Sequence, residues 1–313
     1  MEAFARRQES ALRLSLQLCF DVTLIDLKSG NCMLSAHTLC CPICQSTASH
    51  WVDLPSAELF RCNECRHCFT DPSSIKQEES YGSDYYVKTH RNWFENPNYP
   101  LFSLLTAQIL GSGAKSVLDV GCGNGAFLKY LAERAPDAVL YGIDLSSAGQ
   151  SGEKVCICQG DFLNFDFQRK FDSVVTLAVI EHLTDVGSFV KRIHETLNEN
   201  GTAYVMTLNE QGILYMTANF LRKIGLPSVF NRLYDPHHLN HFSKNSLQRL
   251  LTQGGLFKLI DVIDHDTPLA SIDIPANNPV SRWVLKTGVA AIFFLGKLTG
   301  RTYLQTLKVA KVG

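Results

Sequence analysis

The sequence predicts a doubly wound α/β domain with a small cysteine-rich module on its N-terminal side. From residue 115 onward, apolar runs typical of strands alternate with segments of helical periodicity, which indicates βαβ units and a parallel sheet. The first run leads into a turn that contains Gly121, Gly123 and Gly125. Two Cys-x2-Cys pairs lie ahead of this domain, so we expect a separate module there.

Seven strands are expected in the domain. We place them at residues 116–120, 139–144, 155–159, 173–178, 202–208, 257–262 and 304–309. Helices are expected where apolar residues share one helical face. These residues are Phe127, Leu128 and Leu131 in one helix and Phe189, Ile193 and Leu197 in another, with further helices over 101–110 and 246–253. Right-handed crossovers would then place helices on both faces of the sheet.

The 313 residues divide into four regions by composition. Residues 1–36 form an extension to which we assign no role, and residues 37–75 hold the cysteine pairs. Residues 76–112 form a tyrosine-rich connector, and residues 113–313 form the α/β domain. Part of the connector is predicted either to cover a ligand as a lid or to pack as a linker. The aromatic residues concerned are Tyr81, Tyr85, Tyr86 and Trp93.

The overall composition excludes several classes of protein. A hydrophobic fraction of 45% is ample for a buried core, and a net charge of -1 with scattered basic residues argues against binding to nucleic acid. The first forty residues lack the pattern of a secretory signal, so we expect a cytoplasmic protein. The apolar run at 288–296 is about half a bilayer span, so no transmembrane helix is expected. Peripheral membrane contact through residues 284–298 stays open.

The glycine-rich turn predicts a site for a nucleotide-like ligand. Glycines allow the backbone to approach a ligand closely, and the start of the next helix offers unpaired N–H groups. The same pattern suits a dinucleotide, but Asp119 precedes the turn and its carboxylate would repel a diphosphate. A cation would be attracted by about 4 kcal/mol at about 4 Å in an effective dielectric of about 20. The sequence therefore favours S-adenosylmethionine, which carries an ammonium and a sulfonium, over a nicotinamide dinucleotide.

Carboxylates follow the next two strands. Asp144 comes 25 positions after Asp119, where a carboxylate can bind ribose hydroxyls. Asp161 could accept a hydrogen bond from an adenine amino group while Phe162 stacks nearby, although a solvated loop carboxylate explains Asp161 almost as well. The residues expected to line the cofactor site are Asp119, Gly121, Cys122, Gly123, Gly125, Asp144, Leu145, Asp161, Phe162 and Leu177.

Residues 115–313 resemble the class I S-adenosylmethionine-dependent methyltransferases. The resemblance is carried by VLDVGCGNG, YGID, QGDF and FDSVVTLAVIEHL, in that order and spacing. It implies a Rossmann-like sheet of seven strands whose last strand is antiparallel, in a hairpin between residues 257–262 and 304–309. The combination with an N-terminal zinc ribbon resembles bacterial enzymes that methylate sugars and other small metabolites.

Histidines are the candidate bases for the methyl acceptor, because their ordinary pKa lies near neutral pH. His182 follows the fourth strand of the domain, and the Glu181-His182 pair resembles that of quinone-biosynthesis O-methyltransferases. Some of those enzymes bind a metal through a further Glu three positions earlier, where this chain has Ala178, which argues against a catalytic metal. His238 and His241 lie in a turn-rich segment and are expected either to line the acceptor pocket or to brace the loop.

The two Cys-x2-Cys pairs predict a structural zinc site. Cys41 and Cys44 are separated from Cys62 and Cys65 by seventeen residues, a spacing that suits tetrahedral zinc. Cys68 or His67 could replace one ligand, Cys40 is expected to take no part, and an iron–sulfur cluster is the weaker alternative. We expect the module mainly to brace the domain.

These observations predict a cytoplasmic enzyme that transfers a methyl group from S-adenosylmethionine to a small molecule, with O-methylation favoured. Two alternatives remain. One is a zinc-ribbon interaction module on a catalytically weak Rossmann-like scaffold, and the other is a nicotinamide-dependent oxidoreductase.

Overall fold

The computed structural model describes residues 38–76, 92, 95–146, 149, 151–272 and 278–313. The predicted extension at 1–36 lies outside the described residues, and so do Tyr81, Tyr85, Tyr86 and Trp93 of the proposed lid.

A seven-stranded sheet forms the centre of the protein and matches the predicted one. Its strands are β5 (Ser116–Val120), β6 (Val139–Asp144), β7 (Val155–Gln159), β8 (Phe171–Leu177), β9 (Leu197–Leu208), β11 (Phe257–His265) and β12 (Leu304–Lys311). Their order is β11-β12-β9-β8-β5-β6-β7. The pairs from β9 through to β7 are parallel, and β12 is antiparallel to both of its neighbours, which confirms the expected terminal hairpin.

Helices cover the sheet and follow the predicted apolar periodicity. They are α1 (Tyr99–Gly111), α2 (Ala126–Ala132), α3 (Val186–Thr196), α4 (Ile213–Lys223), α5 (Ser228–Leu233), α6 (Lys244–Thr252) and α7 (Pro279–Thr299). Phe189 and Ile193 are buried on α3 as expected. The placement of Leu197 on that helical face is wrong, because Leu197 has extended backbone angles and begins β9 opposite Phe171.

The cysteine pairs lie in a second, five-stranded antiparallel sheet. Its strands are β1 (Thr38–Cys40), β2 (Thr47–Asp53), β3 (Glu58–Cys62), β4 (Cys68–Thr70) and β10 (Asn240–His241), in that order. The last strand comes from the α/β domain, so residues 37–75 alone do not complete this sheet. Apolar residues of the small sheet also share core clusters with the large domain, as Phe60 and Phe69 do with Phe242 and Leu247.

Among the described residues, the helices do not combine the length and apolar character that a membrane crossing requires.

Candidate functional site

The predicted cofactor loop runs from the carboxyl end of β5 into α2. Gly121 and Gly125 have φ values of 72° and 75°, in the left-handed region that favours glycine. A Cβ atom on Gly121 would lie 2.3 Å from Cγ2 of Val179, so the backbone here has no room for a larger residue. The Gly121 amide donates to the carbonyl oxygen of Ile143 at 2.8 Å, which fixes the turn against the end of β6.

Asp119 is a buried carboxylate with unmet hydrogen-bonding capacity. Its side chain is only 2% exposed, and its Oδ1 atom has no hydrogen-bond partner among the residues that the structure describes. Burial raises the pKa of this carboxyl well above its ordinary value, and the nearby negative charge of Asp144 raises it further. A buried acceptor of this kind is costly unless a ligand supplies a donor or a positive charge.

Asp144 is oriented by the loop it faces. Its Oδ2 atom accepts from the Gly123 amide at 2.9 Å, and its Oδ1 atom accepts from the Ser146 amide and hydroxyl at 2.8 and 2.6 Å. Asp119 and Asp144 therefore lie on adjacent strand ends, at the edge where open α/β sheets bind ligands. Leu145, which follows Asp144, is 57% exposed and is accessible at this edge.

Two predicted cofactor residues, Asp161 and Phe162, contact the protein itself. Asp161 accepts from the Leu163 amide at 3.0 Å and from the Asn164 side chain, so it closes a turn. Phe162 is 6% exposed and packs edge-on against Phe189 beneath α3, so its ring does not offer the stacking surface that we expected.

Cys122 and Leu177 complete the predicted cofactor set. The side chain of Cys122 is buried against β6, because a Cβ atom on Gly142 would lie 2.7 Å from its Sγ atom. Only the backbone of Cys122 can therefore face a ligand in the turn. Leu177 ends β8 and is half-buried, next to Ala178, whose φ of 58° is unusual for a residue with a side chain.

The structure brings the three predicted histidines together. The rings of His182 and His238 lie 4.8 Å apart, and those of His238 and His241 lie 6.5 Å apart, centre to centre. Nδ1 of His182 lies 2.9 Å from the carbonyl oxygen of His237, so it must carry the proton and donate. In the neutral ring, this hydrogen bond places the lone pair on Nε2 of His182, a residue of the short helical turn that follows β8.

His241 differs from the other two because it is 2% exposed. The Thr70 hydroxyl donates to the carbonyl oxygen of His238 at 2.9 Å and lies 3.3 Å from Nε2 of His241. Since this hydroxyl has only one proton, Nε2 of His241 must donate to it. Burial lowers the pKa of His241 well below its ordinary value, so the ring is neutral.

Residues of the small sheet hold the loop that carries His238 and His241, here called the histidine loop, and no sequence pattern indicated these residues. Thr70 belongs to no recognisable motif or periodic pattern in the sequence. Its amide nevertheless donates to the Leu239 carbonyl at 3.0 Å. Arg61 forms an ion pair with Glu210 at 2.5 Å, and Glu210 accepts from the Tyr234 hydroxyl at 2.9 Å. Arg61 and Glu210 are 149 residues apart along the chain, so local sequence patterns cannot reveal their ion pair.

Glu181, beside His182, is another buried carboxyl at the same edge. It is 1% exposed, and its Oε2 atom has no hydrogen-bond partner within the described part of the chain. Burial raises the pKa of Glu181 to about 7. The group can therefore hold or release a proton near neutral pH.

The four predicted zinc ligands converge on one point. Their sulfur atoms all lie within 4.8 Å of one another, with Cys41 to Cys65 at 3.5 Å and Cys44 to Cys62 at 3.4 Å. Tetrahedral zinc with Zn–S bonds of about 2.3 Å needs sulfur atoms about 3.8 Å apart, so the cluster has the right size. The amides of Ile43 and Cys65 donate to the sulfur atoms of Cys41 and Cys62, each at 3.4 Å.

Neither proposed substitute ligand joins this cluster. His67 is buried, with its ring nitrogens 3.3 Å from the Ser246 hydroxyl and 3.2 Å from Oδ1 of Asn240. Cys68 is fully buried beside Arg61. Both residues instead help to join the small sheet to the histidine loop.

Comparisons with known proteins agree with this geometry. A family model described as a methyltransferase domain matches residues 87–259. The ubiquinone biosynthesis O-methyltransferase of Azorhizobium caulinodans is 38% identical over 103 residues, which cover 30% of this chain and 40% of that protein. The protein of the same name from Pasteurella multocida is 28% identical over 167 residues, covering 44% of this chain and 66% of the relative. The chain thus spans less than two thirds of the length of these relatives.

Among solved structures, the chain is similar to the 1,6-didemethyltoxoflavin-N1-methyltransferase of Burkholderia thailandensis, determined with S-adenosylhomocysteine bound. The TM-score is 0.48 at 15% sequence identity, over 80% of this chain and 98% of that one.

Proposed function

Since the chain belongs to the family with this methyltransferase domain, we propose that it is an S-adenosylmethionine-dependent methyltransferase acting on a small-molecule acceptor. The observation that carries the proposal is the buried Asp119 carboxylate, whose Oδ1 atom has no partner in the described structure. It lies at the start of a glycine turn that can admit a ligand against the backbone. A cationic ligand would satisfy that carboxylate, whereas a diphosphate would be repelled.

The residues present fit the proposed cofactor. Asp119 would face its positive groups, and the backbone from Gly121 to Gly125 would lie against it. Asp144 would bind the ribose hydroxyls, and Asp161 would approach the adenine. The bound cofactor would supply a methyl group on a sulfonium, whose sulfur is already a good leaving group. The protein then has to place the acceptor in line, exclude water and receive the acceptor's proton.

We propose that His182 and His238 form the acceptor side of the site. In the neutral ring, the hydrogen bond from Nδ1 of His182 to the His237 carbonyl places the lone pair that a base requires on Nε2. His238 is half-buried and adjacent, so it can help to orient an acceptor hydroxyl. His241, which is buried and neutral, is assigned a positioning role through Thr70.

The acceptor that best fits this arrangement is a hydroxyl compound. A base is needed for a weakly acidic hydroxyl, and two relatives are named as O-methyltransferases of ubiquinone biosynthesis. Quinone-like phenols and sugars are therefore the first compounds to test. Transfer of labelled methyl groups to such compounds would identify the class.

We also propose that Cys41, Cys44, Cys62 and Cys65 bind one structural zinc ion. The size of the sulfur cluster and the two amide-to-sulfur hydrogen bonds support this assignment. Elemental analysis of purified protein should give close to one zinc per chain. A folded protein that contains no metal would refute the assignment.

Calorimetric titration with S-adenosylhomocysteine, NAD and NADP tests the proposed function. We expect binding of S-adenosylhomocysteine alone. Binding of only a nicotinamide cofactor would indicate an oxidoreductase, and binding of none would indicate a catalytically weak scaffold that acts through its cysteine module.

A further inference from the structure

Helix α7 presents an unusual apolar surface. Val280, Trp283, Phe294 and Leu298 are 72%, 68%, 63% and 68% exposed, and Val284 is 54% exposed. The other four lie 3, 4, 14 and 18 residues from Val280, separations that return to the same side of a helix with about 3.6 residues per turn, so they form a single stripe. Residues 282–288 are all exposed, so the first half of α7 stands away from the body of the protein. A contiguous group of exposed large apolar side chains is typical of a surface that binds a partner or a membrane.

Helix α4 and the connection to α5 extend this surface. Met216 and Phe220 of α4, and Ile224 directly after it, recur every four residues and are 46%, 62% and 57% exposed. The connection adds Leu226, which is 57% exposed. Helices α4 and α7 pack against each other. The Arg301 guanidinium contacts the Met216 sulfur at 3.2 Å, which places the end of α7 beside the outer side of α4.

The opposite sides of both helices are already occupied. Phe293 of α7 stacks on Tyr303 with ring centres 5.8 Å apart, and Tyr303 stacks on Tyr215 of α4 at 6.3 Å. Phe293 and Tyr215 are buried. The inner sides of both helices therefore pack into the core, and the apolar residues on the outer sides take no part in that packing.

Charge distinguishes this region from the rest of the chain. The whole sequence has 29 basic and 30 acidic residues, but residues 213–233 and 279–301 contain seven basic and no acidic residues. The seven are Arg222, Lys223, Arg232, Arg282, Lys286, Lys297 and Arg301. On α7, Arg282, Lys286 and Lys297 lie along one edge of the apolar stripe, because at about 100° per residue they fall on the side of the helix next to it.

We propose that the outer sides of α4 and α7, with the connection after α4, bind the surface of an anionic lipid membrane. An apolar stripe beside basic residues is what an interfacial helix needs to insert into the headgroup region while its cations meet anionic lipids. A second copy of this chain is a poorer partner, because a symmetric contact would bring the same seven cations together. The proposal does not depend on the chemistry at the cofactor loop.

Vesicle co-sedimentation of the full chain tests the proposal. We expect the protein to sediment with vesicles that contain phosphatidylglycerol, at least about tenfold more than with phosphatidylcholine alone, and to be released by salt. The double substitution Phe294→Ser with Leu298→Ser should reduce binding about tenfold or more. Lys286→Gln should reduce it about fivefold on anionic vesicles only. Ile260→Ser is the matched control, since Ile260 is 51% exposed on β11 and outside the surface.

Trp283 provides a second measurement. On binding, its fluorescence should shift to shorter wavelength, and Trp283→Phe should remove the shift while leaving sedimentation intact. The proposal would be overturned if neither kind of vesicle retained the protein or if both retained it equally. It would also be overturned if sedimentation velocity showed a dimer that Phe294→Ser with Leu298→Ser dissociates, because the surface would then join two copies.

Discussion

The two sides of the proposed site are built in different ways. The cofactor side consists of Asp119, the glycine turn, Asp144 and Asp161, all within 43 consecutive residues of successive βα units. The acceptor side consists of His182 and residues 234–243, and the small sheet holds it through β10, Thr70 and Arg61. The first is local in sequence and the second depends on contacts between distant segments. A substitution that disrupts the acceptor side should therefore leave cofactor binding intact, and the reverse should also hold.

The strongest test of that independence is the removal of the proposed metal. Cys62→Ser, or extraction of zinc from the wild type with a chelator, should abolish methyl transfer because the small sheet would no longer hold the histidine loop. Affinity for S-adenosylhomocysteine should stay within about threefold, since none of the four cysteines of the cluster belongs to the cofactor side. Calorimetry and a methyl-transfer assay on the same sample measure both quantities.

Cys156→Ser is the control for that experiment. Cys156 is exposed and lies on β7, outside the cysteine cluster, so the substitution should change neither quantity. If metal removal weakened cofactor binding as strongly as methyl transfer, the two sides would form one cooperative unit and the comparison would be wrong.

A second test acts on the acceptor side alone. His238→Ala should lower turnover about 100-fold, because an acceptor hydroxyl that is no longer oriented beside His182 can cost that much, and leave cofactor affinity unchanged. His194→Ala serves as the control because His194 lies on α3 with its ring against Phe257, away from the site. Retention of full turnover in the His238→Ala protein would remove this residue from the proposed site.

The same division explains what the sequence could predict. The strands, the glycine turn and the carboxylates that follow it come from local patterns, so all seven strands were placed and only their ends differ. The orientation of Phe162 was not predictable, because this residue lies in the turn after β7, where no strand or helix periodicity indicates which side faces α3. The fifth strand of the small sheet was missed for a related reason, since two residues, Asn240 and His241, are too short a run to show alternation.

The sequence also could not separate the three histidines. All three appeared equal as candidate bases, whereas burial and hydrogen bonding distinguish them in the structure. Thr70 fixes His241 inside the protein, and the His237 carbonyl fixes the proton of His182. Both partners belong to segments that are remote in the chain, so this information exists only in the fold.

A third test acts on the cofactor side alone. Asp119→Asn should weaken the binding of S-adenosylhomocysteine about 30-fold. This loss is within the range expected for a hydrogen bond to a charged group. Binding of methylthioadenosine, which lacks the ammonium, should hardly change, because the substitution removes only a charge. Asp137→Asn is the control, since Asp137 is exposed beyond α2. Equal losses for both ligands would mean that Asp119 shapes the loop and does not recognise a charge.

The same variant should be more stable than the wild type when no ligand is present. The pKa of Asp119 is raised on folding, so the native state binds the extra proton and its stability falls as the pH rises above the ordinary Asp range. An Asn side chain does not ionise, so the variant does not lose stability in this way as the pH rises. The melting temperature of the ligand-free variant at neutral pH should therefore exceed that of the wild type, and the difference should shrink in acid.

The smallest effect should come from the contact that joins the two sheets. Thr70→Val removes the hydroxyl that donates to the His238 carbonyl and leaves Nε2 of the buried His241 without its acceptor. We expect a fall of about 1–3 kcal/mol in the free energy of unfolding and of about threefold in turnover, with the KM for the cofactor unchanged. Thr70→Ser keeps the hydroxyl, so its free energy of unfolding and its turnover should stay close to those of the wild type. Loss of stability without any change in turnover would show that the small sheet supports the fold without positioning the acceptor loop.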